Sequence, residues 1–214
     1  MMMAGALWLY YRDPHPTAFW PAFLIFSVFI LITIIDIEHR LILHVVTGPS
    51  AILIGLLGVL DPERGFLTTL AGGAVGFGIV LGLYLLGGVF ARFVARLRGQ
   101  VLDEVAFGFG DVTLAGVLGL SVGFPGILMA LFIGILAAGE YSLVHILFML
   151  SRGKYKAFLP IPYGPFLILG GSIVYFGGRS LVEMIFPYGP LWFLVLLIAI
   201  FAVISVRERY RKAK

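Results

Sequence analysis

The sequence predicts an all-α fold, a polytopic bundle of about seven to eight transmembrane helices. Hydrophobic residues make up 61% of the 214 residues and charged residues only 12%, whereas a soluble domain carries about a quarter charged residues. Apolar stretches of the length that a bilayer requires follow one another along the chain, with no long polar segment between them. We therefore expect a single membrane-embedded domain over residues 1–214.

The predicted helices alternate with short polar or glycine- and proline-containing turns. Residues 1–11 are apolar but too short for a crossing, and without a basic n-region they fit a truncated first helix better than a signal peptide. A basic segment over residues 91–106 precedes a Gly-Phe-Gly-Asp turn, and residues 187–214 are expected to form an extra C-terminal helix with a basic tail. The predicted spans are 17–37, 44–60, 66–90, 111–122, 127–150, 160–176 and 191–206.

The distribution of basic residues predicts the orientation. If the N-terminus is cytoplasmic, twelve of the fifteen Lys and Arg residues lie in cytoplasmic segments, and only Arg12, Arg64 and Arg179 lie outside. The positive-inside rule favours this arrangement. It predicts a multi-pass protein of the cell (inner) membrane with both termini cytoplasmic. The net charge of +4 then reflects orientation in the lipid bilayer and not binding to nucleic acid.

Small residues recur at a spacing of four in the predicted helices. The pairs are Gly72/Gly76, Gly78/Gly82 and Gly119/Gly123. This spacing lets helix backbones approach closely in lipid. The pairs therefore predict tight packing of the helix that follows the Gly-Phe-Gly-Asp turn against its neighbours.

Two aspartates at the ends of predicted helices are the candidate catalytic residues. Asp36 ends an earlier predicted helix within the stretch LITIIDIEHR, and Asp111 opens the span VTLAGVLGLSVG. A carboxylate embedded in a bilayer is costly and is by default a functional-site hypothesis. Gly108 and Gly110 allow the backbone to turn sharply, or another segment to approach closely, beside the second aspartate. Two carboxylates that share one proton are what aspartyl peptide hydrolysis requires.

Each of these acids also has a structural interpretation. Asp36 lies one helical turn before Arg40 and is able to pair with it. Asp111 is suited to cap the helix that follows it. From residue chemistry alone, the structural and the catalytic interpretations both stay open.

Three further residues are candidates for supporting the aspartates: Glu38, Arg40 and Glu140. Glu140 is embedded in the stretch LFIGILAAGEYSLVHILF, where a proton relay or, preferably, a structural hydrogen bond explains it. No metal site is predicted, because Glu140 and His145 are five positions apart and lie about 140° apart around a helix. The chain also has no cysteine, which excludes thiolate zinc sites, disulfides and cysteine nucleophiles.

Three stretches together resemble the motifs of the type IV prepilin peptidase family, in the family's order. Gly108-Phe109-Gly110-Asp111 resembles the Gly-x-Gly-Asp motif, residues 35–39 resemble the first aspartate motif, and residues 161–166 resemble a proline-rich segment that opens a late helix. The likeness covers about residues 17–178. It implies a membrane-embedded aspartic endopeptidase that uses Asp36 and Asp111. Such enzymes remove the short basic leader from prepilins or pseudopilins at the cytoplasmic face, usually after a glycine, in type IV pilus assembly and protein secretion.

The chain also departs from the family's pattern. Full-length bacterial members carry an N-terminal module with four zinc-binding cysteines and methylate the new N-terminus. We expect a short form with peptidase activity but without that module, without methylation and without a cofactor. Thr113 stands where a lysine is common, and Leu43-His44 stands where a proline-aspartate pair is frequent. These differences bear on the choice of substrate.

Two other functions are consistent with the residues. A small proton- or cation-coupled transporter or channel would use Asp36, Asp111 and Glu140 as ion sites. The lack of an internal repeat and the placement of both aspartates at one membrane face weigh against it. An inactive homologue that assists pilus assembly is the other alternative, and the presence of both aspartates weighs against that function. The sequence does not predict the oligomeric state.

Overall fold

The computed structural model describes residues 16–39, 42–61, 64–98, 108–152 and 162–185, and within these ranges it is almost entirely helical. Side chains are described for all of these residues except 16–18, 90–98 and 178–185. The helices are α1 (Pro16–His39), α2 (His44–Leu60), α3 (Gly65–Arg98), α4 (Phe109–Val122), α5 (Gly126–Ser151) and α6 (Gly164–Ile185).

The part of the chain that the structure describes holds six helices instead of the expected seven to eight. The helices predicted over 1–11 and 191–206 lie outside the described residues. Most boundaries agree with the prediction within a few residues, but α3 continues past residue 90 to Arg98, and α6 begins at Gly164 and continues past residue 176 to Ile185. The extension of α3 is explained by its residues, because alanine, leucine and arginine favour helix and residues 91–98 contain no glycine or proline.

Three of the six described helices are long and apolar enough to cross a bilayer: Phe19–His39, Gly65–Val89 and Gly126–Ser151. The others contain shorter apolar segments. With 14 residues, α4 is about 21 Å long at ~1.5 Å per residue, which is less than the ~30 Å of a hydrocarbon core. At least one end of α4 therefore lies within the bilayer, where protein groups have to satisfy its free backbone N–H or C=O groups.

The short helix α4 lies at the centre of the bundle. It packs against α2, α3, α5 and α6, and eight of its 14 residues are buried. A helix that is apolar on all sides is stable in contact with either protein or lipid, and α4 is the described helix that is covered mainly by protein. Asp111, in its first turn, is therefore carried by the most enclosed helix among the described residues.

Glycines allow α3 and α4 to approach each other closely. A Cβ added to Gly72 would overlap the carbonyl oxygen of Gly119, and a Cβ on Gly119 would overlap that of Gly72. The packing predicted for these two positions is therefore confirmed. The same prediction for Gly78 and Gly82 is wrong within the described part of the chain, because a Cβ at either position has none of its atoms within 4 Å. The spacing of four recurs along α3, but only part of the helix faces α4.

Arg64 contacts α4 and α6 at the end of α4 that is remote from Asp111. Its guanidinium donates a hydrogen bond to the carbonyl oxygen of Ser121, in the last turn of α4. It also pairs with the Asp61 carboxylate, at 3.1 Å, and stacks over the ring of Tyr175 in α6, 4.7 Å from the ring centre. A cation at this end complements the negative end of the helix dipole and satisfies a backbone carbonyl that has no partner inside the helix.

Candidate active site

The ends of three helices meet at one end of the bundle and bring the two candidate aspartates together. Asp36 lies in the last turn of α1, and Asp111 lies in the first turn of α4. Asp36 is 5% exposed and Asp111 is 9% exposed. The two carboxylates are near enough for the charge of Asp36 to act on Asp111. The fold has thus placed two buried acids, 75 positions apart in the sequence, in one site.

Asp111 is held by the start of its own helix. The helix begins at Phe109, with Gly108 as the N-cap residue. The backbone N–H of Gly108 donates to the Oδ2 atom of Asp111, at 3.0 Å. Asp111 therefore does cap the helix, as the structural interpretation expected, but from the third helical position. Its carboxylate gains from the hydrogen bond and from the positive end of the helix dipole.

The carboxylate of Asp36 is in a different environment. It lies near the C-terminal end of α1, where the helix dipole disfavours an anion. The backbone N–H of Gly164 faces this carboxylate and stabilises its negative charge. Its Oδ2 atom, however, is buried and accepts no hydrogen bond from any described residue. A buried anionic oxygen without a partner is costly. The expected pairing with Arg40 involves a residue outside the described ranges.

Gly164 and Tyr163 form the third side of the site. A Cβ on Gly164 would lie 2.5 Å from the Asp36 Oδ2 atom, so only glycine leaves room for the carboxylate here. Tyr163 directly precedes α6, is partly buried, and packs against the core of the bundle near Asp111. Both residues fall in the proline-rich stretch that the motif comparison singled out, but the sequence assigned no role to either.

Ile42, between α1 and α2, fills the space between the helices that carry the two aspartates. Its Cβ lies 2.7 Å from the place of a Cβ on Gly110, and its Cδ1 lies 3.3 Å from the place of a Cβ on Gly164. The motif glycines were predicted to allow either a sharp turn or the close approach of another segment. Gly110 has the second role, since Ile42 lies against it. Gly108 is in an extended conformation with φ −80°, which any residue adopts. Nothing in the sequence LILH distinguishes Ile42 from its apolar neighbours.

Aromatic contacts fix the start of α4 against two neighbouring helices. The ring of Phe109 stacks on that of His44, the first residue of α2, with 5.6 Å between ring centres. Tyr84 of α3 meets the same ring edge-on at 6.1 Å. Because Phe109 is two residues before Asp111, these contacts also position the second aspartate.

The two acids expected to support the aspartates lie apart from them. Glu38 is exposed, and its nearest described charge partner is His39, at 4.0 Å. Glu140 is exposed on α5, and it forms no hydrogen bond or ion pair within the described ranges. The structural hydrogen bond expected for Glu140 is therefore not found in this part of the chain.

A separate apolar groove of about 520 Å³ lies between α2, α3 and α4. On α4 it is lined by Thr113, Gly116, Val117 and Leu120. These residues are on the face of α4 that points away from Asp111, since Thr113 is about 200° around the helix from it. The groove therefore does not contain the aspartates, and we do not assign it to their chemistry.

Comparison with known proteins identifies a family that this chain matches. The model of the type IV leader peptidase family matches residues 23–143, a range that contains Asp36 and Asp111. The chain is also 30% identical over 153 residues to a prepilin leader peptidase/N-methyltransferase of Xanthomonas campestris pv. campestris. The alignment covers 70% of this chain and 47% of the relative, so the chain spans about half the length of the curated relative that it matches. No solved structure is significantly similar to it.

Proposed function

The chain belongs to the type IV leader peptidase family, and on this basis we propose that it is a membrane aspartic endopeptidase with Asp36 and Asp111 as its catalytic pair. Its proposed substrates are type IV prepilins or pseudopilins, from which it removes the short basic leader at the cytoplasmic face of the cell membrane. The family match favours this peptidase over the transporter or channel that the residues left open.

One observation carries the assignment of the pair. Two carboxylates from the ends of different helices are both buried, at 5% and 9% exposure, and Ile42 lies against Gly110, next to Asp111, and beside Gly164, which contacts Asp36. Burying two acids in one part of a protein costs stability, because burial disfavours their charged forms and a nearby like charge adds to that cost. Such a cost is typical of a site that is retained for its chemistry.

The two carboxylates together supply the two functions that the reaction requires. One member of the pair is ionised and takes a proton from water, and the other is protonated and donates a hydrogen bond to the scissile carbonyl. Each carboxylate faces a backbone N–H group, that of Gly108 for Asp111 and that of Gly164 for Asp36. Water adds to the carbonyl carbon, and the resulting tetrahedral intermediate breaks at its C–N bond as a carboxyl proton passes to the leaving nitrogen.

The proposal is limited to hydrolysis and does not include N-methylation. The Xanthomonas relative is named for both activities, but the alignment covers only 47% of that relative. A cytoplasmic position for the site follows from the distribution of basic residues, since Asp36 is followed by Arg40 and Asp111 is preceded by Arg92, Arg96 and Arg98.

The test is a co-expression assay of prepilin processing. A candidate prepilin is expressed with the wild-type chain, with Asp36→Asn or with Asp111→Asn, and leader removal is read as a mass shift of the pilin. Either substitution keeps the size of the side chain but removes its acid–base function. We expect processing to fall by at least about 10³-fold, since both members of such a unit are required.

The matched control is Asp61→Asn, which changes another helix-end aspartate that lies at the opposite end of the bundle. It is expected to retain processing. Cleavage by Asp36→Asn or Asp111→Asn at a rate near that of the wild type would contradict the catalytic assignment. A wild-type chain that inserts normally but leaves several prepilins intact would contradict the proposed activity itself.

A further inference from the structure

Glu140 lies near the middle of a membrane-crossing helix and faces away from the bundle. It is on α5, which has 26 residues, about 21 Å from Gly126 and about 17 Å from Ser151 at ~1.5 Å per residue. Its side chain is exposed, and none of the described residues forms a hydrogen bond or an ion pair with it. An acid at this depth is costly unless another protein group pairs with it, and the proposed hydrolysis makes no use of it.

Glu140 belongs to a regular row of exposed residues, which we call the α5 seam. The seam consists of Leu136, Glu140, Leu143, Leu147 and Leu150. Its four leucines are between 48% and 59% exposed. The successive spacings of four, three, four and three are those of the a and d positions of a heptad repeat, which place one side of a helix against a second helix.

The opposite side of α5 is the side that packs into the bundle. Gly134 and Ala138 are buried, and a Cβ on Gly134 would lie 2.9 Å from the carbonyl oxygen of Phe166 in α6. At about 100° per residue, Gly134 and Ala138 are about 160° around the helix from the centre of the seam. The helix therefore has one face for its own bundle and a second face, the seam, that no described residue covers.

The acid in the seam favours a second copy of this chain as the partner. The apolar stretches outside the described ranges, residues 1–11 and 191–206, contain no charged side chain, so neither offers Glu140 an ionic partner. A second copy offers an identical acid at the same depth. A protonated carboxyl is both donor and acceptor, so two Glu140 side chains that share a proton form a hydrogen bond with each other.

The membrane also fixes how two copies meet. All copies of one protein have the same orientation in a bilayer, so the two-fold axis of a dimer lies along the membrane normal. The two α5 helices are then parallel and in register, and Glu140 faces its counterpart in the second copy. A single polar residue among the apolar residues of such a seam specifies register and the number of partners.

We propose that the α5 seam is a dimer interface, in which α5 packs in parallel against α5 of a second copy and the two Glu140 side chains form a hydrogen bond across it. Asp36 and Asp111 are on α1 and α4, so each copy keeps both aspartates. The interface does not depend on the proposed peptidase function.

A pair of single cysteines tests the seam, since the natural chain has no cysteine of its own. Full-length Leu147→Cys and Phe148→Cys are reconstituted in liposomes and oxidised with copper phenanthroline. The two positions are adjacent and similarly exposed, at 58% and 53%, but Phe148 is about 100° away from the seam residue. Because a disulfide requires Cα atoms within about 7 Å, we expect at least about five times more covalent dimer from Leu147→Cys.

Two substitutions test the hydrogen bond between the acids. Glu140→Gln keeps a side chain that both donates and accepts, whereas Glu140→Leu leaves only apolar contacts in the seam. Dimerisation is measured by energy transfer between fluorescently labelled copies at a series of protein-to-lipid ratios. We expect Glu140→Leu to weaken dimerisation about 3- to 30-fold, and Glu140→Gln to stay within about threefold of the wild type.

Each part of the proposal has its own contrary result. Equal disulfide formation at both positions, or none with Leu147→Cys, overturns the dimer interface; in the second case other segments of the same chain, 153–161 or 191–206, cover the seam. Dimerisation that Glu140→Leu leaves unchanged overturns the contact between the two acids. None of these measurements uses a prepilin, so their failure and the failure of the proposed function are distinct.

Discussion

The carboxylate of Asp36 lies directly against the backbone of Gly164, with no room for a Cβ between them. A glycine at this position allows the start of α6 to complete a site built mainly from α1 and α4. The contact also aims the backbone N–H of Gly164 at the carboxylate. At the scale of single residues, the orientation of Asp36 thus depends on the absence of a side chain 128 positions later in the chain.

The substitution Gly164→Ala tests this dependence. The added Cβ would lie 2.5 Å from the Asp36 Oδ2 atom, so the carboxylate or the helix has to move. A displacement of about 1 Å in an active site costs on the order of 10²-fold in rate. We expect leader removal by the purified variant to fall by about that factor.

Gly139→Ala is the control for this prediction and is expected to leave the rate unchanged, since a Cβ at Gly139 has no atom of the described residues within 4 Å. Both variants are compared by cleavage rate and by thermal unfolding in detergent. A Gly164→Ala variant that folds and cleaves at the wild-type rate would show that Asp36 does not need its present position.

The helix α4 shows how a short element is held inside a membrane protein. Its first turn is completed by the N–H of Gly108, which donates to the carboxylate of Asp111, and in its last turn the carbonyl oxygen of Ser121 accepts a hydrogen bond from Arg64. Along its length, Gly119 brings its backbone against Gly72 of α3. Since the helix does not reach both faces of a bilayer, these contacts replace the water that its ends would otherwise bind.

The substitution Gly119→Ala is predicted to loosen the contact between α3 and α4. Its Cβ would overlap the carbonyl oxygen of Gly72, and backbone atoms cannot rotate away as a side chain does. Overpacking of this kind costs about 1–3 kcal/mol or more in the free energy of unfolding. The loss is measured by denaturant or heat unfolding in detergent micelles.

Gly82→Ala, also on α3 but away from α4, serves as the comparison. Among the described residues no atom lies within 4 Å of a Cβ at Gly82. The higher helix propensity of alanine is therefore expected to leave stability unchanged or to raise it by up to about 1 kcal/mol. Equal destabilisation by both variants would contradict a specific role for the contact between Gly72 and Gly119.

The whole molecule has two chemically different ends. At one end lie Asp36 and Asp111, and at the other lie Arg64 and Asp61, joined by an ion pair. The antiparallel helices between them keep these groups apart by roughly the length of α4, about 21 Å at ~1.5 Å per residue. In the proposed orientation, the aspartates face the cytoplasm and Arg64 faces the opposite side.

The orientation is testable with single cysteines, because the chain contains none. Leu43→Cys is at the end that holds the aspartates, and Phe124→Cys is at the other end; both side chains are more than 40% exposed. We expect a membrane-impermeant maleimide to label Leu43→Cys only in inside-out vesicles and Phe124→Cys only in right-side-out vesicles. The reverse pattern would place the aspartates outside the cytoplasm and contradict the proposed site of leader removal.

The sequence by itself determined the helical membrane character, most helix positions and the choice of Asp36 and Asp111. These properties are local: a run of apolar residues predicts a span, and an acid within such a run is conspicuous because its burial is costly. The three motifs added the family, which the comparison with known proteins confirmed. The sequence prediction ends α3 at residue 90, because basic residues often mark the end of a span. The helix continues to Arg98 because arginine is also a good helix former.

Only the tertiary structure decided which residues surround the aspartates. Ile42 and Gly164 have no local feature that marks them, because their roles come from contacts between segments far apart in the chain. The same holds for the glycines, since Gly72 meets α4 while Gly82 does not, despite equal spacing in the sequence. A helical pattern specifies which faces are apolar, but the facing partner is fixed only when the helices pack, and steric exclusion acts at that stage.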